Sequence, residues 1–319
     1  VHGLRHYRHG LPWAGVLANR VASDGHEKML RASVLTGDPG SGSDAVDAGW
    51  LGALKRDVDF ALPERHLGLT VATELPDAKD RLDALADALA GTPLGRLDAA
   101  SWQRWAVAFD PAGKVDVPVL LRGRTIAVAR DAAFCFIYPA NLDTLSALGA
   151  ELRFFSPVAD EPVPACDAVW LPGGYPELHA KTLQEGSRCR DSLTAHVAAG
   201  KPVWAECGGM MPLFDGLTLN DGGRVPMWGL LPGEVRMQQR LAALGPQRLA
   251  GEAGDLRGHT FHYSLTDTEL KPLAHTEPGS AFGRPEAVYG RGAVRASYFH
   301  AWFASNPAAS ARLFLPEVA

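Results

Sequence analysis

Pro202-Val203-Trp204-Ala205-Glu206-Cys207-Gly208-Gly209-Met210-Met211 is the stretch whose reading decides the fold. A short apolar run ends on a cysteine followed by two glycines. That order predicts a buried strand, a tight turn and then a helix, with the thiol at the apex of the turn. The free N–H groups and positive dipole end of the following helix would favour a thiolate there. The same N–H groups would hold an oxyanion beside the sulfur. This reading makes Cys207 a nucleophile. The plainer one makes it a small buried apolar residue, as most free cysteines are.

Working outward, strands are predicted at Thr125 to Ala129, Glu151 to Phe155 and Ala168 to Leu171. Helices are predicted from Leu142 to Leu148, near Glu177 to Leu183 and from Asp191 to Ala199. Strands alternating with helices imply right-handed βαβ units and an α/β fold with a parallel, doubly wound sheet. Ligands bind such sheets beyond the carboxyl ends of the strands, where Gly173-Gly174 and Cys207 both fall. Upstream, Trp13 to Val21 and Trp50 to Leu54 read as strands, and Thr36 to Asp44 as an exposed loop. Asp77 to Ala90 reads as an amphipathic helix with Leu82, Leu85 and Leu89 on one face, capped by Asp77 and stopped by Gly91. The proline-punctuated stretch from Gly91 to Leu121 reads as a linker with a short helix around Trp102 and Trp105.

The 319 residues suffice for two domains. A formal charge of −5 with interspersed signs gives no surface for a polyanion, so nucleic acid is not an expected partner. No apolar stretch has membrane-spanning length, and a cytoplasmic protein is expected. Cys135, Cys166, Cys189 and Cys207 form no C-x-x-C pair, which argues against a zinc site or disulfide framework. His2, His6 and His9 lack accompanying carboxylates or thiols, so no bound metal is expected. Cys135, Cys166 and Cys189 read as structural, and Asp131 as a candidate positioning residue at a strand end.

A thiolate nucleophile needs a proton acceptor, and His300 in Ala296-Ser297-Tyr298-Phe299-His300 follows a short strand-like run. Read alone, a single histidine there is more often an ordinary core or surface residue. In order along the chain stand Arg130-Asp131-Ala132-Ala133-Phe134-Cys135-Phe136-Ile137-Tyr138, Phe155-Ser156-Pro157, Leu171-Pro172-Gly173-Gly174-Tyr175-Pro176-Glu177, Ala205-Glu206-Cys207-Gly208-Gly209 and Ala296 to His300. Together these runs resemble the glutamine amidotransferase domain, of the class I type, of the cobyrinic acid and hydrogenobyrinic acid a,c-diamide synthases. Gly15 to Val21 and Leu62-Pro63-Glu64-Arg65-His66-Leu67-Gly68-Leu69 resemble the later part of the ATP-dependent, P-loop synthetase domain of the same enzymes. The resemblance divides the chain into a synthetase part (1–95), a linker (96–121) and an amidotransferase domain (122–312).

The resemblance implies a two-site ligase that takes glutamine and a corrinoid, with or without cobalt, and uses ATP and Mg2+. Cys207 would attack the glutamine amide, and N–H groups of Gly173 or Gly174 and of Gly208 would hold the oxyanion. His300 would shuttle the protons. His259 and His262 would face the corrinoid or the domain junction, or equally belong to a structural strand with polar ends. Glu64, Arg65 and His66 would face the substrate's carboxylates or form a local ion pair on a loop. A homo-oligomer is compatible with the family. Two departures stand out. Many amidotransferases of this fold orient the histidine with a glutamate two residues on; Trp302 stands there. No G-x-x-x-x-G-K-[ST] phosphate loop occurs, Gly37 to Ser43 being glycine-rich without lysine. With valine at position 1, the expectation is a chain lacking the first part of such an enzyme. A catalytically silent assembly remnant and a stand-alone cysteine hydrolase are the competing readings.

Overall fold

The computed structural model describes residues 1, 3–4, 7–8, 10, 13–35, 49–63, 74–110 and 117–316. Two compact units divide the chain, Val1–Gly113 and Lys114–Ala319. The expected loop from Thr36 to Asp44, and His2, His6 and His9, lie outside the described residues, as do Glu64, Arg65 and His66.

In the first unit, β1 (Val16–Val21) pairs in parallel with β2 (Trp50–Lys55), with α1 (Asp24–Leu35) between them in sequence. α2 (Ala78–Ala90) and the short α3 (Ala99–Gln103) follow. Asp77 takes the N-cap position of α2 without a capping bond, because its carboxylate instead pairs with Arg81, one turn on, at 2.7 Å. The face of α2 that turns inward carries Ala84, Leu85, Ala88 and Leu89, whereas Leu82 is exposed, contrary to the predicted face.

The second unit is built on the predicted sheet. Its strands are β3 (Thr125–Ala129), β4 (Glu151–Phe155), β5 (Ala168–Leu171) and β6 (Val203–Glu206), joined by α4 (Pro139–Ala147), α5 (Ala180–Glu185) and α6 (Ser187–Ala198). Helix α4 begins earlier than predicted because Pro139, with no N–H to lose, fits a helix's first turn. Alternate residues serve opposite faces. Ala127, Ala129, Val169, Leu171, Val203 and Ala205 pack in one core cluster with Leu183 of α5 and Leu193 of α6. Ile126, Val128, Ala168, Trp170 and Trp204 pack in the other with Leu145 of α4. Each fully buried Val or Leu is worth roughly 1.5–3 kcal/mol, so covering both faces fixes the register of the strands.

After β6 the chain is β-rich, which the sequence reading did not anticipate. It comprises β7 (Gly216–Thr218), β8 (Arg224–Pro226), β9 (Glu234–Met237), β10 (Ala243–Leu249), β11 (Leu256–His262) and β12 (Ser264–Asp267). β13 (Ala274–His275), β14 (Glu277–Pro278), β15 (Ala287–Arg291), β16 (Val294–Ser297), β17 (His300–Ala301) and α7 (Pro307–Arg312) complete the unit. The main sheet has seven strands in the order β13-β15-β16-β6-β5-β3-β4. Its five members from β16 to β4 are parallel, and β13 and β15 add an antiparallel edge. Read by chain order, the parallel part is the 2-1-3-4-5 doubly wound arrangement. Two four-stranded sheets, β12-β9-β7-β8 and β14-β10-β11-β17, take up the remainder.

Candidate active site

Three neighbouring parallel strands end at one place. β5 leads into Pro172-Gly173-Gly174, β6 into Cys207, and β16 through Tyr298-Phe299 into His300. Cys207 sits at φ 46°, in the left-handed region that a side chain rarely adopts. That conformation costs roughly 1–2 kcal/mol and turns the chain sharply off the end of the strand. The helix predicted after the turn is a short 3₁₀ helix, Cys207–Leu213, that contains Pro212.

Close approach explains the glycines. A Cβ on Gly208 would lie 2.5 Å from the Gly174 carbonyl oxygen, and one on Gly173 would lie 2.4 Å from His300 Cε1. The turn at Cys207, the Gly173-Gly174 loop and the imidazole of His300 are therefore one packed cluster. The loop is fixed from behind: Phe136 N–H donates to the Gly173 carbonyl at 2.9 Å and Tyr175 N–H to that of Ala133 at 3.0 Å. Asp131 anchors this backing. One carboxylate oxygen accepts from the N–H groups of Ala133 and Phe134, and the other from the Ser156 hydroxyl and Val158 N–H.

His300 stacks on His259 with ring centroids 4.9 Å apart and planes 8° from parallel, and β17 pairs with β11 at these same two residues. Phe136 lies tilted beside the ring. Among the described residues His300 Nδ1 is buried with no hydrogen-bond partner. Trp302, at the place of the absent glutamate, stacks edge-on with Tyr138 and is 41 % exposed, so it takes no part in holding the ring.

The charge state differs from the one expected. Cys207 is 6 % exposed, and its thiol donates to the Phe261 carbonyl at 3.7 Å. Burial, reinforced by the carboxylates of Glu177, Glu286 and Glu206, pushes the thiol far above its ordinary range despite the bond from Gly208 N–H. Burial, together with His259 and His262, lowers His300 to about 3. Cys207 thus rests as a neutral thiol and His300 as a neutral imidazole, because a dry interior disfavours both charged forms and a short 3₁₀ turn offers little dipole to offset it. Burial also raises Glu206, to about 8, against the pull of the Trp204 and Ala301 N–H groups.

His259 belongs to this site. His262 is buried, stacked on Tyr298, with Nδ1 2.8 Å from the Ser264 carbonyl and Nε2 3.0 Å from Glu286. Thr260 donates to the same Glu286 oxygen. The Glu286 partnership carried no sequence signal. Asn141 was also missed; a polar residue on the inward face of a helix was the available clue. Among the described residues no three His, Cys, Asp or Glu side chains are grouped to hold a metal, and no helix is long and apolar enough to cross a membrane.

Residues 125–308 match the CobB/CobQ-like glutamine amidotransferase domain, which defines the class of the second unit. Over 315 residues the chain is 50% identical to the hydrogenobyrinate a,c-diamide synthase of Stutzerimonas stutzeri, covering 99% of this chain and 70% of that one. It is 45% identical over 315 residues to the enzyme of the same name from Pseudomonas aeruginosa, covering 99% and 69%. Identity is 46% over 308 residues to the cobyrinate a,c-diamide synthase of Herminiimonas arsenicoxydans, covering 96% and 66%. A solved glutamine amidotransferase overlays 59% of this chain and 96% of its own at a TM-score of 0.42 and 18% identity. The chain belongs to the cobyrinate and hydrogenobyrinate a,c-diamide synthase family.

Proposed function

We propose that this chain splits glutamine at Cys207 and supplies the ammonia for amidating the a and c acetate carboxylates of cobyrinate or hydrogenobyrinate. The observation that supports this most is the convergence of Cys207, His300 and the Gly173-Gly174 loop at the ends of three adjacent parallel strands.

In this reading the thiol proton passes to His300 as sulfur attacks the amide carbon. The developing oxyanion lies against N–H groups of Gly173 or Gly174 and of Gly208. The intermediate collapses to a glutamyl thioester as His300 returns its proton to the departing ammonia. His300 then takes a proton from water, whose oxygen attacks the thioester, and glutamate leaves with Cys207 restored as a thiol. With Cys207 6 % and His300 3 % exposed, the resting pocket is closed. Glutamine must displace covering groups and bring its polar amide into the dry space, which makes the proton transfer less costly than in the empty pocket.

Ammonia then attacks acyl phosphates, which the family reaction draws from ATP with Mg2+. The residues in this chain do not fit the nucleotide part: the sequence has no lysine-bearing phosphate loop. No step through ATP or Mg2+ is therefore assigned to residues here. We place the reaction in the cytoplasm, where corrinoid, glutamine and nucleotide meet. Ammonia release from glutamine by the chain, with and without Cys207→Ala, tests the reading. Activity that vanishes in the variant supports it. No turnover by either protein, even with the corrinoid-activating domain of a relative added, points to an assembly role instead.

A further inference from the structure

β6 delivers Glu206 just before the nucleophile, and β17 delivers Ala301 just after the histidine. The Glu206 carboxyl group is 1 % exposed, and its Oε1 accepts from Ala301 N–H at 3.3 Å and from the Trp204 indole N–H at 2.7 Å. Asn141 secures the other side of the same strand: its Nδ2 donates to the Ala301 carbonyl at 2.8 Å and its Oδ1 accepts from Phe303 N–H at 2.8 Å. The imidazole is held differently. It has face contacts with His259 and Phe136 and the close approach of Gly173, and Nδ1 has no hydrogen-bond partner among the described residues. Packing on His259 and Phe136 and the backbone from which it hangs together set where the ring sits. Beyond the β16–β6 pairing, that backbone is bonded at Ala301 by a carboxyl group from the nucleophile's strand.

We propose that Glu206 is a positioning residue that holds His300 within proton-transfer reach of Cys207 by bonding the backbone of Ala301. The inference rests on the reading of Cys207 and His300 as the glutamine-splitting pair. Glu206 does not itself touch the reacting atoms in this account. What the position requires is an acceptor rather than a charge, since burial already favours the protonated acid.

That requirement makes the proposal testable by conservative rescue. Glu206→Gln keeps an acceptor for both N–H groups and should hold kcat for ammonia release within about threefold of wild type. Glu206→Leu fills similar space without an acceptor. It should lower kcat about 30- to 100-fold, the loss expected for misplacing a catalytic group by about 1 Å. KM for glutamine should stay within about twofold, because the substrate's own contacts remain. Trp204→Phe removes the second donor only, and should leave kcat within about threefold. If Glu206→Leu does not fold, Glu206→Asp, which keeps the carboxyl group but draws it back from Ala301, must show the same kcat loss at unchanged KM. A folded Glu206→Leu with near-wild-type kcat, a Gln variant as impaired as the Leu variant, or a fully active Asp variant standing in for an unfolded Leu variant overturns the inference. Those outcomes leave the pair itself intact. Wild-type protein without glutaminase activity, or Cys207→Ala that retains it, would overturn the reading beneath.

Discussion

Gly173→Ala places one methyl group against the candidate base. The new Cβ would stand 2.4 Å from His300 Cε1. Carbon atoms in contact settle about 3.5–4.0 Å apart, leaving a deficit of about 1.1–1.6 Å. The ring cannot simply retreat, because His259 is stacked parallel to it and Phe136 lies beside it. Gly173 is not in the left-handed region, so the effect is the methyl group's and not the backbone's. A displacement of about 1 Å costs on the order of 100-fold in rate. Overpacking costs about 1–3 kcal/mol, or roughly 2–12 °C in Tm for a unit of this size. Ammonia release from glutamine gives the rate, circular dichroism the melting temperature, and alkylation by a glutamine-analogue chloroketone a readout independent of turnover. A folded variant that releases ammonia and is alkylated within twofold of wild type would refute the placement of His300 against this loop.

Three further outcomes are expected. Glu286→Ala removes the shared acceptor of the buried His262 ring and the Thr260 hydroxyl; leaving a buried polar group unpaired costs about 1–3 kcal/mol, so Tm should fall by roughly 2–12 °C, and no measurable fall contradicts the pairing. His300, lowered to about 3 in the fold against an ordinary 6.5, contributes stability that is complete above pH 6.5 and lost as pH falls towards 3. Urea titrations should show wild type losing more stability than His300→Gln between pH 6 and 4, by up to ~1.4 kcal/mol per pH unit, and parallel losses would contradict the burial of a neutral ring. Asp131→Ala removes the acceptor of four bonds and should cost about 2–3 kcal/mol while slowing glutamine-dependent ammonia release; unchanged stability in urea would show that the loop is held otherwise.

The sheet was legible because β3, β5 and β6 are compact, buried apolar runs, whereas β4 carries the charged Glu151 and Arg153 and reaches β5 without a helix between. The nucleophile's turn was legible for a chemical reason: only a Cys followed by two glycines combines a strained apex with room for Gly174 to pack underneath. His300 stood out by following a short strand-like run, and only its resemblance to a family motif lifted it above an ordinary histidine. The β-rich stretch escaped because its strands are two to seven residues long and β10 carries Gly245 and Pro246 mid-strand, breaking the alternation that marks a strand. Glu206 stands within a legible motif but its role is not legible, since nothing in a sequence says which backbone a buried carboxyl group will meet. The thiolate expectation failed because helix termini can be read from sequence, whereas the burial that opposes them, with Glu177 and Glu286 brought in from distant segments, cannot.

The account depends most directly on Cys207 reacting as an amide-splitting nucleophile served by His300. Peptide mapping of the chain after exposure to a glutamine-analogue chloroketone measures this in one step, with half-buried Cys135 and buried Cys166 and Cys189 as internal controls. The expected result is a label confined to Cys207, blocked by free glutamine and strongly slowed in His300→Ala. A label on another cysteine, or one on Cys207 indifferent to both glutamine and His300, would contradict it.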